Sequence, residues 1–214
     1  MAVIESGSSS DLLTIDTTTK AARVSVYPRL SHYAIASVTG TIGATLAANS
    51  SVFVARLDPS AGASYKAYIT RLTLMFNDIA AVAGVNAGLR LAVYRGSGAA
   101  ASGGTALATA AEKDTTSANS QMNSGEGGDM RISTTGALTV AGITFETQEL
   151  LTAMSLADAL ITAGTYREKA WEFDNPQASP IVLNQGELIA IRNPVVFPGT
   201  ATWQLGVTME WFEG

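Results

Sequence analysis

His32 is the single histidine of the chain, and cysteine is absent. A Ser-His-Asp triad or a multi-histidine metal site would therefore depend on His32, while thiol catalysis and cysteine-ligated zinc are excluded. The local sequence, Ser31-His32-Tyr33 shortly after Pro28, is typical of a surface or loop histidine. No HExxH, GxSxG, GxxxxGKS or GxxxxGKT motif occurs in the sequence.

Pairs of carboxylates are the second arrangement that could carry chemistry, because glycoside hydrolysis uses two acidic side chains that flank the scissile bond. Glu168 and Glu172 share one face of a predicted strand, and Glu146 and Glu149 lie close in sequence. No run of aromatic residues that could stack on sugars surrounds either pair. We interpret both pairs as solvated faces.

Three further acids, Asp114, Glu126 and Asp129, lie in or beside a glycine-rich segment and could offer oxygen ligands to calcium. Their spacing matches no calcium loop that would place the ligands around one ion. The sequence therefore predicts no catalytic, cofactor or metal site. We expect a protein that is not an enzyme and uses no cofactor.

The composition favours a protein that works by association. Only 14% of the 214 residues are charged, against about a quarter in typical domains, and small residues replace the missing charges. This pattern indicates either an unusually neutral surface or, as we favour, a surface partly covered by other subunits. The net charge of −5 and the scattered basic residues disfavour nucleic acid as a partner.

Membrane insertion and secretion are not predicted. No apolar run approaches the ~20 residues that a spanning helix needs, and the first residues lack the basic and apolar regions of a secretory signal. We expect a soluble protein that is assembled in a cytoplasm and has no membrane partner.

The elements that must position these residues are strands. The clearest is 201–212, in which five large apolar residues alternate with polar or small ones and predict a principal core strand: Trp203, Leu205, Val207, Met209 and Trp211. Other predicted strands are 33–38, 51–57, 66–76, 88–95, 129–133, 165–173, 181–183 and 187–192. Within 66–76, the period of two places Tyr68, Leu72, Leu74 and Phe76 on one side.

Three segments between these strands are interpreted differently. The spacing of Leu150, Met154, Ala157 and Leu160 predicts one short helix within 144–163, ended by Gly164. Asn184, Gln185 and Gly186 have the composition of a turn and predict a hairpin between 181–183 and 187–192. Residues 96–128 contain no aromatic residue and predict a long Gly/Ala/Ser/Thr-rich loop, either a flexible excursion or a contact with a neighbour.

The fold class that follows is all-β, with a single antiparallel β-sandwich of jelly-roll type. We expect two parts: an N-terminal tail and arm strand at 1–28, and the β-sandwich domain at 29–214. In the arm, LLTIDTTTKAARVSVYP (12–28), β-branched residues at 23–27 predict a strand, and Pro28 cannot continue the ladder. Such an extended arm can pair with its own domain or with a neighbour.

Three segments resemble those of a known protein class. They are Ile15-Asp16 with residues 19–28 of the arm, the segment PIVLNQGELIAIRNP (180–194), and the C-terminal strand ending in Met209, Glu210 and Trp211. They are similar to segments of small β-sandwich structural proteins of tailed-phage virions. Those proteins are often trimeric, and they decorate the capsid or belong to the tail and its fibres.

The resemblance implies a phage virion structural protein, most simply a capsid decoration (cement) protein that binds the capsid surface and stabilises the head. Its partners would be the major capsid protein or other virion proteins and copies of itself, with a trimer favoured, and its location the virion. The arm would supply the partner interface, through apolar anchors and through charges that could meet an acidic surface: Leu12, Leu13, Ile15, Asp16, Lys20, Arg23, Val24, Val26 and Tyr27.

Two alternatives remain. A tail or fibre component would use the sandwich as an adhesion head. A carbohydrate-binding or hydrolytic jelly-roll module would need an exposed groove lined by Trp or Tyr and paired carboxylates. A flat surface of small residues buried by neighbours would instead favour assembly.

Overall fold

The structure is a computed structural model that describes residues 14–15, 22–23, 31–43, 45–80, 82–83, 89–112, 119–156, 160–161, 164–172, 179–197 and 202–214. The chain divides into two units, Met1–Leu30 and Ser31–Gly214. No helix occurs in these ranges.

In the first unit, strand β1 (Thr14–Ile15) pairs antiparallel with β2 (Ala22–Arg23). Ile15 lies opposite Ala22, and Thr14 opposite Arg23, so two of the predicted arm residues belong to a backbone ladder. The other predicted arm residues lie outside the described residues: Leu12, Leu13, Asp16, Lys20, Val24, Val26 and Tyr27.

The second unit contains two large antiparallel sheets, which confirms the predicted all-β sandwich. The seven-stranded sheet has the order β11-β7-β16-β4-β10-β8, and β12 also pairs with β7. Its strands are β4 (Ser50–Arg56), β7 (Leu89–Gly98), β8 (Thr105–Ala106), β10 (Asp129–Ile132), β11 (Ile143–Phe145), β12 (Leu151–Leu156) and β16 (Glu187–Asn193).

The six-stranded sheet has the order β14-β5-β17-β3-β9, and β15 also pairs with β5. Its strands are β3 (Ser31–Val38), β5 (Ala67–Ala80), β9 (Ala111–Glu112), β14 (Gly164–Glu172), β15 (Ile181–Leu183) and β17 (Thr202–Glu213). A short separate ladder joins β6 (Val82–Ala83) to β13 (Leu160–Ile161).

The strand pairing is that of a jelly roll. The first four long strands, β3, β4, β5 and β7, pair in reverse order with the last four, β17, β16, β14 and β12. Each half of the chain alternates between the sheets, so the whole resembles one long hairpin rolled around a core. The predicted jelly-roll connection is therefore present in the described strands.

The core lies between the two sheets, and β17 contributes the two largest of the fully buried side chains, Trp203 and Trp211. Trp203, Leu205, Val207, Met209 and Trp211 are each at most 1% exposed, as the alternation predicted. They join one apolar cluster that also contains residues of the opposite sheet, such as Phe53, Val93 and Ile191. This shared cluster holds the two sheets face to face.

The predicted helix within 144–163 is wrong. That range holds the end of β11, all of β12 and β13, and β12 pairs with the edge of β7 from Leu151 opposite Val93 to Leu156 opposite Leu89. Ala153 is fully buried, whereas Thr152 is exposed. The backbone groups of β12 bond to the edge of β7 and not to one another, as they would in a helix.

The predicted face of Tyr68 is also wrong, because β5 contains a bulge. Glu210 pairs with Arg71 and Trp211 with Ile69, so Thr70 is an extra residue in the ladder. The bulge reverses the alternation: Ile69 is fully buried, and Tyr68 is only half-buried.

Two predicted connections differ in the structure. Asn184, Gln185 and Gly186 do form a turn, but β15 and β16 belong to different sheets, so 180–194 is a crossing and not a hairpin. Residues 96–128 contain the end of β7, then β8 and β9, which extend the edges of both sheets.

Candidate interaction surface

The outer faces of the two sheets differ in what covers them. On the seven-stranded sheet, Val54, Leu188 and Ala190 form a second apolar cluster with Ala101 and Leu138, which lie outside the sheet. Val140, Ile143 and Phe145 pack against the same cluster. This outer face is therefore covered by the chain itself.

The outer face of the six-stranded sheet is more open. Val38 is 50% exposed and Met75 is 38% exposed, although both are large apolar side chains. Between them lies a shallow trough of about 300 Å³. Its lining residues are Ala36, Ser37, Val38, Thr73, Met75, Gly206, Val207 and Thr208.

The register of three strands arranges this surface in rows. The rows across β5, β17 and β3 are Met75-Gly206-Val38, Thr73-Thr208-Ala36 and Arg71-Glu210-Ala34. Because Gly206 lacks a side chain and Ala34 and Ala36 carry only a methyl group, the centre of the sheet is flat. We call the surface formed by these three rows the trough face.

Thr73 brings an unusual polar group to this face. Thr73 is only 7% exposed, and its hydroxyl has no hydrogen-bond partner among the described residues. The neighbouring Thr70 hydroxyl, in contrast, donates to the Glu210 carbonyl at 3.3 Å. An unpaired buried hydroxyl costs about 1–3 kcal/mol, and because this oxygen is closed off from solvent, it lies beneath the lining of the trough and not at its surface.

One end of the trough face is charged. Arg71 Nη1 lies 3.2 Å from Glu210 Oε1, and His32 Nε2 lies 3.9 Å from Glu210 Oε2. The His32 ring stacks on Phe212 at a centroid distance of 4.2 Å. His32 therefore lies on β3, at the surface of the sheet, which is the first of the two positions, surface or loop, that the sequence predicted.

The acidic residues singled out from the sequence have separate partners. Asp129 is buried and accepts hydrogen bonds from Ala101 N at 2.6 Å and Arg131 Nε at 2.7 Å. Glu149 pairs with Arg90. These bonds fix local structure, and no group of three or more metal-ligating side chains occurs in the part of the chain that the structure describes.

Among the described side chains of the remaining acidic residues that the sequence singled out, the structure shows one hydrogen bond. Glu126 accepts a bond from Asn119 Nδ2 at 2.7 Å on the surface, and Glu146 is exposed. Asp114 and the side chains of Glu168 and Glu172 lie outside the described residues.

Sequence reasoning missed Glu213, which is only 1% exposed. Its carboxylate accepts four hydrogen bonds, from Ser120 Oγ at 2.6 Å, Gln121 N at 2.8 Å, Trp211 Nε1 at 2.6 Å and Tyr65 Oη at 3.1 Å. Burial, and next the negative charge of Glu213, raises the pKa of Tyr65. Continuing the alternation of β17 by one step would have placed this acid inside.

Trp203 and Trp211 cannot form an exposed platform for sugars. Trp203 and Trp211 are fully buried. On the outer face of the seven-stranded sheet, the Arg192 guanidinium lies 4.0 Å from the Phe145 ring centroid and 5.0 Å from that of Tyr94. Tyr94 itself is 6% exposed, so these rings hold an arginine in place.

Comparison of the chain with protein-family models, with curated proteins and with solved structures finds no match. The described residues include no helix that is long and apolar enough to cross a membrane. The trough face must therefore be interpreted from its own residues.

Proposed function

We propose that this protein is a non-enzymatic structural protein of a phage particle, a capsid decoration (cement) protein that binds the capsid surface and stabilises the head. The supporting observation is the trough face, a flat sheet surface of small side chains with two exposed large apolar residues, Val38 and Met75. Exposed apolar surface of this kind marks protein association. The phage assignment comes from the sequence resemblance.

In this proposal the arm anchors the sandwich to the particle. Its apolar residues would pack on the major capsid protein or another virion protein, and Lys20 and Arg23 would meet acidic groups there. Backbone pairing between Thr14–Ile15 and Ala22–Arg23 favours an arm that already holds a local fold. The protein would assemble in the host cytoplasm and remain in the virion.

Deletion of residues 1–23 tests the anchor. We expect the shortened protein to keep its β-sheet circular dichroism and its cooperative thermal unfolding, and to be missing from particles assembled in its presence. Deletion of residues 1–10, which removes the polar tail but keeps the arm, is the matched control and should leave incorporation normal. Normal incorporation after removal of 1–23 would overturn the anchoring role.

Localisation tests the proposal itself. Antibody labelling of purified particles should place the protein on the head, and its absence from particles would overturn the proposed function. Labelling on the tail or its fibres would identify the alternative, an adhesion component. The mass of the free protein in solution measures the number of copies, which the resemblance leads us to expect to be three.

A further inference from the structure

We propose that the trough face binds the same face of a second copy of this chain, about a two-fold axis that lies between β5 and β17 and runs parallel to them. A two-fold interface brings the same surface patch of both copies together. With the axis in this position, each outward-facing residue of β5 lies opposite a residue on β17 of the second copy. That residue is the equivalent of its neighbour in the same row.

The first row is apolar. Within one copy, Met75 extends over Gly206, since a β-carbon added at Gly206 would lie 3.1 Å from Met75 Cε. The two Met75 side chains would therefore pack against each other about the axis, each above the glycine of its own copy. Sheets pack about 10 Å apart face to face, which small central residues allow.

The middle row adds small side chains. Thr73 is only 7% exposed, and its hydroxyl oxygen is closed off within its own copy, so its contact with Thr208 of the second copy would be one of van der Waals packing. Ala36 completes the row on β3 with a single methyl group. This row therefore allows the two sheets to approach closely without adding a hydrogen bond.

The third row is complementary in charge. Arg71 would meet Glu210 of the second copy, and Glu210 would meet its Arg71, so each ion pair within a copy joins a network of four charges. The net charge of −5 makes two copies repel each other, but this row carries one charge of each sign. The exchange of opposite charges in this row favours a second copy over an unrelated partner.

Charge reversal with mixing tests this pairing in the full-length protein. Arg71→Glu places two carboxylates in the row, and Glu210→Arg places two cations there. We expect each variant alone to raise the dissociation constant of self-association roughly tenfold or more, because like charges would meet across the axis. An equimolar mixture should restore association, because opposite charges then meet at both positions.

The measurement is sedimentation equilibrium or light scattering, with one variant carrying a mass tag so that mixed pairs are recognised. Circular dichroism checks that each variant is folded. Restoration by mixing cannot come from pairing inside one copy, since each variant has like charges there. A wild-type protein that stays monomeric across the concentration range, or folded variants that mixing fails to restore, would overturn the proposal.

This pairing rests on the proposed function only in that both require association of the sandwich. A protein that pairs in solution but is absent from phage particles would overturn the decoration role and leave the pairing intact. A protein that is found on phage particles but stays monomeric would overturn the pairing and leave the decoration role intact. If a trimer forms through another surface, pairing of trough faces would join two trimers.

Discussion

Glu213 joins parts of the chain that are far apart in sequence: Ser120 and Gln121, Tyr65, and Trp211 of its own strand. Removing the partners of a buried charge is strongly destabilising, so these donors and the carboxylate depend on one another. The consequence is a polar cross-link at one end of the sandwich, between β17 and the segments that contain Tyr65 and Ser120.

Tyr65 makes this cross-link sensitive to alkaline pH. Its folded-state pKa is raised above the unfolded value of about 10, so its contribution to stability is complete below about pH 10 and is lost as the pH rises further. We expect the free energy of unfolding to fall above about pH 10, and to fall less steeply in Tyr65→Phe. Urea unfolding across this range measures the slope.

Ser120→Ala is the control for this pH dependence. It removes one donor to Glu213 but keeps the phenol, so it should lower stability at every pH without altering the slope. A Tyr65→Phe protein with the wild-type slope would contradict the assignment to Tyr65.

Gly127 is a second residue whose identity is dictated by its surroundings. Its φ is +96°, and an added β-carbon would lie 2.7 Å from Asp58 Cγ, whose carboxylate is held by Ser60. We expect Gly127→Ala to lower the free energy of unfolding by about 2–3 kcal/mol. Gly125→Ala is the control, since its β-carbon would meet no atom within 4 Å; an equal loss in both variants would refute the reasoning.

Among the elements, β17 determines whether the sandwich forms. It pairs with both β3 and β5 and brings Trp203 and Trp211 to the core. A chain that ends at Thr202 should therefore fail to fold. A chain that ends at Glu213 should retain the fold with a modest loss in the free energy of unfolding. Thermal unfolding followed by circular dichroism makes the comparison, and a cooperative transition in the shorter chain would be inconsistent with this role.

The sequence predicts a strand well when the alternation of apolar and polar residues is set by that strand alone. The alternation in β17 needs no knowledge of neighbours, and all five apolar positions were correctly placed inside. The bulge at Thr70 is different, because the extra residue is defined by the register against Glu210 and Trp211. Likewise, the apolar spacing in 144–163 fits a helix, and only the position of this segment beside the edge of β7 shows that it is a strand.

The candidate site was less predictable than the fold. Small residues on outer strand faces were visible as a composition, but the rows depend on the alignment of β3, β5 and β17. The unpaired Thr73 hydroxyl can be recognised only from its burial and its surroundings. The local sequence of the turn at Gly186 could not show that it crosses between sheets.

The described residues of the two sheets share one apolar cluster between the sheets, which predicts a single unfolding event. Residues of both sheets belong to the same buried cluster, so neither sheet keeps its packing when the other is lost. We expect Met209→Ala in β17 and Ile191→Ala in β16 each to cost about 2–5 kcal/mol and to shift the same transition. Calorimetry with near- and far-ultraviolet circular dichroism should give coincident midpoints, whereas two separated transitions would show independent sheets.

The rolled-hairpin pairing also governs how the chain can fold during synthesis. Ser31 pairs with Glu213 and Val38 with Gly206, so β3 has no partner on that side until β17 has left the ribosome. Contacts between residues so distant in sequence close slowly, because the loop entropy must be lost first. During that delay β3 is an unpaired strand edge, the kind of segment that aggregates, and rapid production of this protein therefore favours inclusion bodies unless a chaperone protects it.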